Sequence, residues 1–453
     1  MADDQDTDEA LAWARGAASI GDNDAAITAY LALLARDPTN ADALIELAVL
    51  AHRAGRRTAA RTALAQAVAC HPRNAVARVN LGNLLMEADE IDAARAEFAA
   101  ALAAQPAFAL AHQGLARALS ALGEVAAAAP HWRLGFADHA VVRQPFRGQG
   151  TGIPLLLLVS ARGGNIPTHA LIDDRTFAVI AVYADFFDPE APLPPHALVF
   201  NAIGDADLCG PALVAARRIV ARSDAPVINA PDVVAHTGRL ESALRLGGLE
   251  GVRAPAMREL PRGELGRLTA FPMLLRSPGF HTGRHFVRVE TAAALPAAVA
   301  SLPGERLLAI EPLDARGPDG FWRKQRMMII DGALYPAHLV VSPDWKAHHF
   351  SAGMADRADH RAEEARFLVD PAGVIGPQPM AALGRIATTL GLDYAGVDFA
   401  VAADGGLLLF EANPAMVLQP ADPDPIWDYR RPALATALDA VRRMLLAKAG
   451  ALS

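Results

Sequence analysis

At 453 residues the chain is too long for a single core, so two or three domains are expected. A composition of 52% hydrophobic and 20% charged residues can fill those cores, while a net charge of -8 supplies no basic stripe for a nucleic-acid backbone. Cys70 and Cys209 lie far apart in apolar or helical contexts and suggest neither a disulfide framework nor a thiolate metal site. The acidic first residues lack a signal peptide's basic and apolar regions, and the longest aliphatic run, 155–159, is far short of a membrane span. A reducing cytoplasm, with no membrane and no nucleic acid as partner, is the expectation.

Residues 7–136 are rich in alanine and repeat themselves. Pro38, Pro72 and Pro106 lie 34 residues apart, and the same step relates Gly21, Gly55, Asp89 and Gly123. It also relates Ala26, Ala60, Ala94 and Ala128, and the bulky series Tyr30, Leu64, Phe98 and Trp132. A small residue where two helices cross, a turn residue between them and a closing proline at this period resemble the tetratricopeptide pattern, which implies an all-α solenoid of about four repeats over 1–136. One helical hairpin cannot bury its apolar face alone, and stacking several creates a concave groove. Two uses stand equally: a groove that holds a peptide or protein, or a platform for packing and homodimer formation. Asn40, Asn74, Asn80, Asn83 and Arg78 are candidates for groove contacts, although Asn near a helix start is more often a cap.

Turn formers crowd 137–152, which reads as a linker. Beyond it, 153–160, 177–183 and 197–203 carry strand signals, a helix is expected to start near Thr168, and another covers 211–221. This alternation argues for a small parallel sheet flanked by helices in an α/β subdomain over 153–235. Gly163-Gly164-Asn165 and the group Asn201, Gly204 and Asp205 follow strands, where such sheets place ligands, but each also reads as an ordinary connection.

The region 236–453 carries five segments with chemistry. Arg239 stands ahead of a helix that ends at Gly247-Gly248. A strand ending near Arg276 leads into a loop with Gly279, His281, Gly283 and Arg284, whose backbone N–H groups can approach phosphates. A third segment ends in Glu311-Pro312-Leu313-Asp314. In 321–330, Lys324 and Arg326 share one face of a strand while Arg323 points away. Last, two apolar runs in 392–414 flank Asp404-Gly405-Gly406, which reads as a β-hairpin carrying Asp398 on one strand and Glu411 and Asn413 on one face of the other. Hard oxygen donors amid Val, Leu and Phe fit a Mg2+ ion that carries nucleotide phosphates; a hairpin with a few solvated polar residues is the plainer reading.

In this order the segments resemble the ATP-grasp superfamily, over about residues 153–440. The resemblance implies an α/β plus α+β ATP-grasp fold and an ADP-forming ligase that uses ATP and Mg2+. A carboxylate substrate attacks the γ-phosphate of ATP, and an amine then captures the acyl phosphate, so small-molecule or peptide carboxylates and amines are the implied substrates. By resemblance, Arg239, Arg276, Gly279, His281 and Gly283 bind the phosphates. Glu311 accepts from the adenine amino group, the Pro312 and Leu313 backbone lines the ring and Asp314 faces the ribose. Arg326, with Lys324 second, neutralises the transferred group, and Asp398, Glu411 and Asn413 hold the metal. Most relatives have Lys where this chain has Arg239 and Arg276; Arg stays protonated, and its fork still grips phosphate oxygens in pairs. His338 and His348 read equally as substrate contacts or as structural residues. Two other functions stay open: a scaffold whose nucleotide is only structural, which the two Arg positions motivate, and phosphoryl transfer that stops at a phosphorylated product.

Overall fold

The computed structural model describes residues 2–280, 283–347 and 352–451. It divides into two compact units, Met1–Ala140 and Val141–Ser453.

The first unit consists, among the described residues, of eight consecutive helices: α1 (Ala2–Ser19), α2 (Asn23–Arg36), α3 (Ala41–Arg53), α4 (Arg57–Cys70), α5 (Ala75–Glu87), α6 (Ile91–Ala104), α7 (Ala109–Ala121) and α8 (Val125–Phe136). Each series in the 34-residue repeat has one physical job. Ala26, Ala60, Ala94 and Ala128 are wholly buried, because a larger side chain would hold the crossing helices apart. Tyr30, Leu64, Phe98 and Trp132 fill the space that the alanines leave. Gly21, Gly55 and Gly123 adopt φ of 87°, 73° and 81°, and Asp89 keeps the same left-handed turn at 65°. Glycine enters that region without penalty, and a short polar side chain such as Asp tolerates it.

The polar candidates for groove contacts are mostly engaged within the array. Asn40 and Asn74 accept the Ala43 and Ala77 backbone N–H groups at 2.9 and 3.0 Å, so both are helix caps. Asn83 accepts from Arg117 at 2.7 Å. Arg78 donates to the Pro72 carbonyl at 2.7 Å and to Glu97 at 2.6 Å, which locks α5 against α6. One repeat further on, the same slot holds two histidines. His112 bonds the Pro106 carbonyl through Nε2 at 2.9 Å, and its Nδ1 meets Nδ1 of His131 at 2.8 Å. Since the carbonyl only accepts, His112 is protonated on Nε2, and the neutral pair shares a single proton between its Nδ1 atoms.

The second unit has fourteen strands among its described residues: β1 (Val141–Arg143), β2 (Ile153–Val159), β3 (Phe177–Tyr183), β4 (Leu198–Asn201), β5 (Val227–Ile228), β6 (Val252–Arg253), β7 (Met257–Pro261), β8 (Met273–Arg276), β9 (Phe286–Val289), β10 (Arg306–Ile310), β11 (Trp322–Ile330), β12 (Ala333–Ser342), β13 (Tyr394–Val401) and β14 (Leu407–Asn413). Its helices are α9 (Gly210–Val220), α10 (Pro231–Val234), α11 (Arg239–Gly247), α12 (Leu295–Ala300), α13 (Ala358–Val369), α14 (Pro371–Ile375), α15 (Pro377–Leu390) and α16 (Arg431–Lys448). They surround three sheets in the orders β1-β3-β2-β4-β5, β7-β10-β8-β9 and β12-β11-β13-β14-β6. In the first, β2 to β5 are parallel and β1 is an antiparallel edge strand inside the stretch read as linker. The second is antiparallel, and the third is mixed, with β6 parallel to β14. The region is therefore α/β with mixed sheets.

The helix expected near Thr168 does not form. Leu171 and Ile172 both donate to the Thr168 carbonyl, and Asp173 then turns the chain by accepting from Arg175 N–H and Thr176 Oγ1. Pro167 and two consecutive aspartates favour such local bonding over helix propagation. Elsewhere burial follows the pattern. The continuous apolar runs of β2 and β4 are covered on both faces, and Met273, Leu275, Leu307 and Ala309 form a separate core under the four-stranded sheet. One buried charge network sits away from the cleft described below: Glu364 accepts from Tyr429 at 2.5 Å and from Arg430 at 2.6 and 3.1 Å, while Arg430 stacks 3.9 Å from the Trp427 ring centroid.

Two outcomes follow. A Cβ added at Gly114 would stand 2.3 Å from the fully buried Phe98 ring, so Gly114→Ala is expected to lower the unfolding free energy by about 1–3 kcal/mol in a urea titration despite alanine's better helix propensity. Burial, and then His112, push the His131 imidazole below its ordinary value. The folded array thus takes up protons less readily than the unfolded chain, and its stability is full above about pH 6.5 and falls as the pH drops. Thermal melts between pH 7.5 and 5 are expected to show this slope, and His131→Gln to flatten it.

Candidate functional site

The chemistry gathers on the hairpin of β13 and β14. In register, Asp398 lies opposite Glu411 on one side and opposite Arg326 of β11 on the other, while Gly396 lies opposite Asn413. Directly opposed residues point to the same face, so Arg326, Asp398 and Glu411 form one row across three strands. An irregularity of the ladder directly after Asp398, and one after Arg326, re-aims the strands at this row.

Asp398 is 4% exposed. Arg326 grips it with both prongs, Nε to Oδ1 at 2.6 Å and Nη2 to Oδ2 at 3.0 Å, and Lys324 Nζ adds a bond to Oδ2 at 3.2 Å. Burial alone would raise the Asp398 carboxyl, but the two cations more than reverse that and hold it well below the usual carboxylate range. Glu411 has a parallel arrangement. It accepts from Arg239 Nη2 at 2.6 Å and from Asn413 Nδ2 at 2.8 Å, both on Oε1, and Arg239 and Arg276 overcome its burial to lower it.

Arg239 is the first residue of α11, and its backbone N–H donates to Asp207 Oδ2 at 2.9 Å. Gly238 makes room, since a Cβ there would stand 2.5 Å from Asp207 Oδ1. Arg276, at the end of β8, is 7% exposed and forms no ion pair among the described residues. Its guanidinium donates to the Phe280 carbonyl and lies 5.3 Å from the Phe286 ring centroid. Burial, followed by the nearby charge of Arg239, pushes it down to about 10. Arg239, Arg276, Gly279, Glu411 and Asn413 line one cleft together with Asp207 and Phe410. Gly279 and Gly283 hold φ of 77° and 74°, the left-handed turns the loop requires. His281 and His348 lie outside the described residues.

The remaining candidates are placed less directly. Leu313 is buried with Ala315, Ala400 and Leu408 in an apolar patch that Trp322 and Phe410 extend. Glu311 accepts the Ala256 backbone N–H at 2.9 Å, and Asp314 is held by both prongs of Arg316 at 2.8 and 2.6 Å, so both carboxylates serve local structure here. Arg323 turns away from the row, as expected, to Asp319 and Glu363. His338 is the buried cross-strand neighbour of Arg326. Asn165 bonds both backbone groups of Ser160, Asn201 bonds the Asn229 carbonyl, and Asp205 accepts from Asp207 and Leu208 N–H, so the loops at the ends of the parallel strands are closed by their own polar side chains.

As metal donors, Asp398 and Glu411 fit Mg2+: they are hard, adjacent in register and buried. Asn413 fits less directly, because its Oδ1 already accepts from Ala415 N–H at 2.9 Å. Among the described residues no group of three or more His, Cys, Asp and Glu side chains forms a metal site, so any ion here rests on two carboxylates, an amide and its own ligands. Sequence reading missed Asp207, whose signal was its position two residues after Asp205 behind a strand end. It also missed Asn229. The side-chain amide of Asn229 makes two bonds to the Tyr394 backbone, at 2.8 and 2.9 Å, and latches the parallel sheet to the start of β13. Removing the central carboxylate by Asp398→Ala would strand two cations and is expected to cost about 3–5 kcal/mol of stability, read from the denaturation midpoint.

The tetratricopeptide repeat family model matches residues 11–75 and 79–133. No curated protein sequence matches the chain. Two solved structures of MamA are similar to it. One is 26% identical, covering 28% of this chain and 74% of that one, with a TM-score of 0.26. The other is 24% identical, covering 30% and 74%, with a TM-score of 0.27. Among the described residues no helix is long and apolar enough to cross a membrane. The first unit is thus a tetratricopeptide solenoid, and the second an α/β region with mixed sheets.

Proposed function

We propose that the α/β unit is an ATP-grasp ligase that couples a carboxylate to an amine through an acyl phosphate, and that the solenoid recruits a peptide, a protein or a second copy of the chain. The observation that carries this is Arg276. A buried cation with no carboxylate partner is costly, and Arg276 shares its cleft with Arg239, a glycine loop and Glu411. An anion of high charge density would relieve that cost, and nucleotide phosphates are such an anion. An apolar patch around Leu313 and Phe410 offers the kind of surface a planar base requires.

In this reading the overall reaction converts ATP, a carboxylate and an amine into an amide, ADP and phosphate. Bound Mg2+, held by Asp398 and Glu411 with Asn413, would supply charge neutralisation at the phosphate oxygens. Arg239 and Arg276 bind and orient the phosphates from the α11 and β8 sides, and backbone N–H groups near Gly279 close over them. Arg326 and Lys324 bring positive charge to the place where negative charge develops during transfer. No side-chain nucleophile is required. Helical-repeat arrays usually present a concave binding surface, which supports a recruiting role for the solenoid.

The test is ADP release by the purified chain with Mg-ATP and a panel of carboxylates and amines; a rate no higher than buffer across the panel would sink the proposal. Arg276→Ala is expected to cut turnover by on the order of 10²-fold. The same variant keeps Glu411 paired with Arg239 and is expected to unfold in one cooperative urea transition, which separates lost function from lost fold.

A further inference from the structure

Both carboxylates suited to the metal already have cations on them. Asp398 carries Arg326 and Lys324, and Glu411 carries Arg239, with distances of 2.6 to 3.2 Å. The side chains involved are 6 to 25% exposed, so water does little to weaken these pairs. We infer that Arg326, with Lys324, competes with a divalent cation for Asp398, so that the cation enters only together with a polyanion in a paired exchange. The carboxylates pass to the metal, and the displaced guanidinium and ammonium groups pass to the polyanion.

This inference rests on the proposed nucleotide site but asks something different of it. A free divalent cation arriving alone would have to strip Arg326 from Asp398 and leave a buried guanidinium with no counter-charge, which is expensive. A free polyanion could pair with Arg276, but it would draw Arg326 and Lys324 to itself only by leaving Asp398 uncompensated. Only the two together release Arg326 and Lys324 to the polyanion while Asp398 keeps a cation. Arg326 thereby acts as a specificity residue that selects the metal–polyanion complex over either component.

Arg276 supplies the control, since it carries the same charge and acts through space on Glu411, the second carboxylate of the row, but bonds a carbonyl rather than a carboxylate. If Arg326 merely repels cations through space, deleting either arginine should help a metal equally. Mn2+ alone, followed by the loss of its free-ion paramagnetic resonance signal, is titrated into the full chain, Arg326→Gln and Arg276→Gln. The exchange predicts no saturable binding by the unaltered chain into the millimolar range, and binding by Arg326→Gln at least tenfold tighter than by Arg276→Gln. Equal affinities in the two variants, or saturable Mn2+ binding by the unaltered chain, would overturn it. Lys324→Gln carries the same prediction with a smaller gain should Arg326→Gln fail to fold by circular dichroism. The two proposals fail separately. A metal gain confined to Arg326→Gln with no binding of Mg-ATP leaves the exchange standing and removes the ligase. Mg-ATP binding with no difference between the arginine variants does the reverse.

Discussion

A carboxylate placed on the central strand of a sheet, beneath side chains that exclude water, must be neutralised where it stands. Asp398 is that group, and the geometry of the α/β unit can be read as its solution. β11 and β14 flank β13 so that Arg326 and Glu411 fall on either side of it in the same row. The alternation of faces along a strand means that a slip of one residue in either pairing would send the partner to the opposite side. The apolar residues between, Val397 and Phe399 among them, hold the register by filling the core below. The charged row and the core therefore specify the same alignment.

The site is held in place from outside the hairpin as well. Asn229 sits at the end of β5 with φ of 55° and uses its side-chain amide as a strand residue would use its backbone, pairing with Tyr394 just four residues before Asp398. Its own N–H reaches Asp393 at 2.7 Å. Gly204 then brings the loop after β4 within van der Waals contact of Ala415, where a Cβ would already stand 3.1 Å away. These contacts explain why residues more than 170 positions apart, Arg239 and Glu411, meet at 2.6 Å. Against this over-determined frame Arg276 stands out as a buried charge in no ion pair among the described residues, offset only through space by Glu411, Asp205 and Asp207, the pattern expected where stability is given up for binding.

The solenoid follows a different economy, in which each hairpin is stabilised mainly by its neighbours and by one repeated set of contacts. A slot that repeats with the array can be filled by different chemistry. Arg78 and Glu97 fill it with a permanent ion pair, and 34 residues on His112 and His131 fill it with a hydrogen-bonded pair of imidazoles. The backbone partner, a proline carbonyl, is the same in both. The architecture of the last repeat is thus unchanged while its response to acid differs.

The sequence by itself determined the solenoid and the hairpin, because both depend on short-range patterns. A 34-residue period shows in alanines and turn glycines whatever surrounds them, and two apolar runs about an Asp-Gly-Gly turn pair with each other. The same holds for the shared face of Lys324 and Arg326, which follows from the alternation of a strand. Tertiary structure alone decided what those residues face. That Arg326 grips Asp398 with both prongs depends on which strands become neighbours, and that Arg276 bonds the Phe280 carbonyl depends on how the chain turns after β8. The helix expected near Thr168 gave way to turns because side-chain bonds of Asp173 competed with it over a segment too short to propagate. Glu311 and Asp314, read from order in the chain, instead bond Ala256 and Arg316, since a carboxylate at a strand end takes the nearest donor that the fold supplies. Register and burial are properties of the whole chain, and they set the charge balance on which any chemistry at this cleft depends.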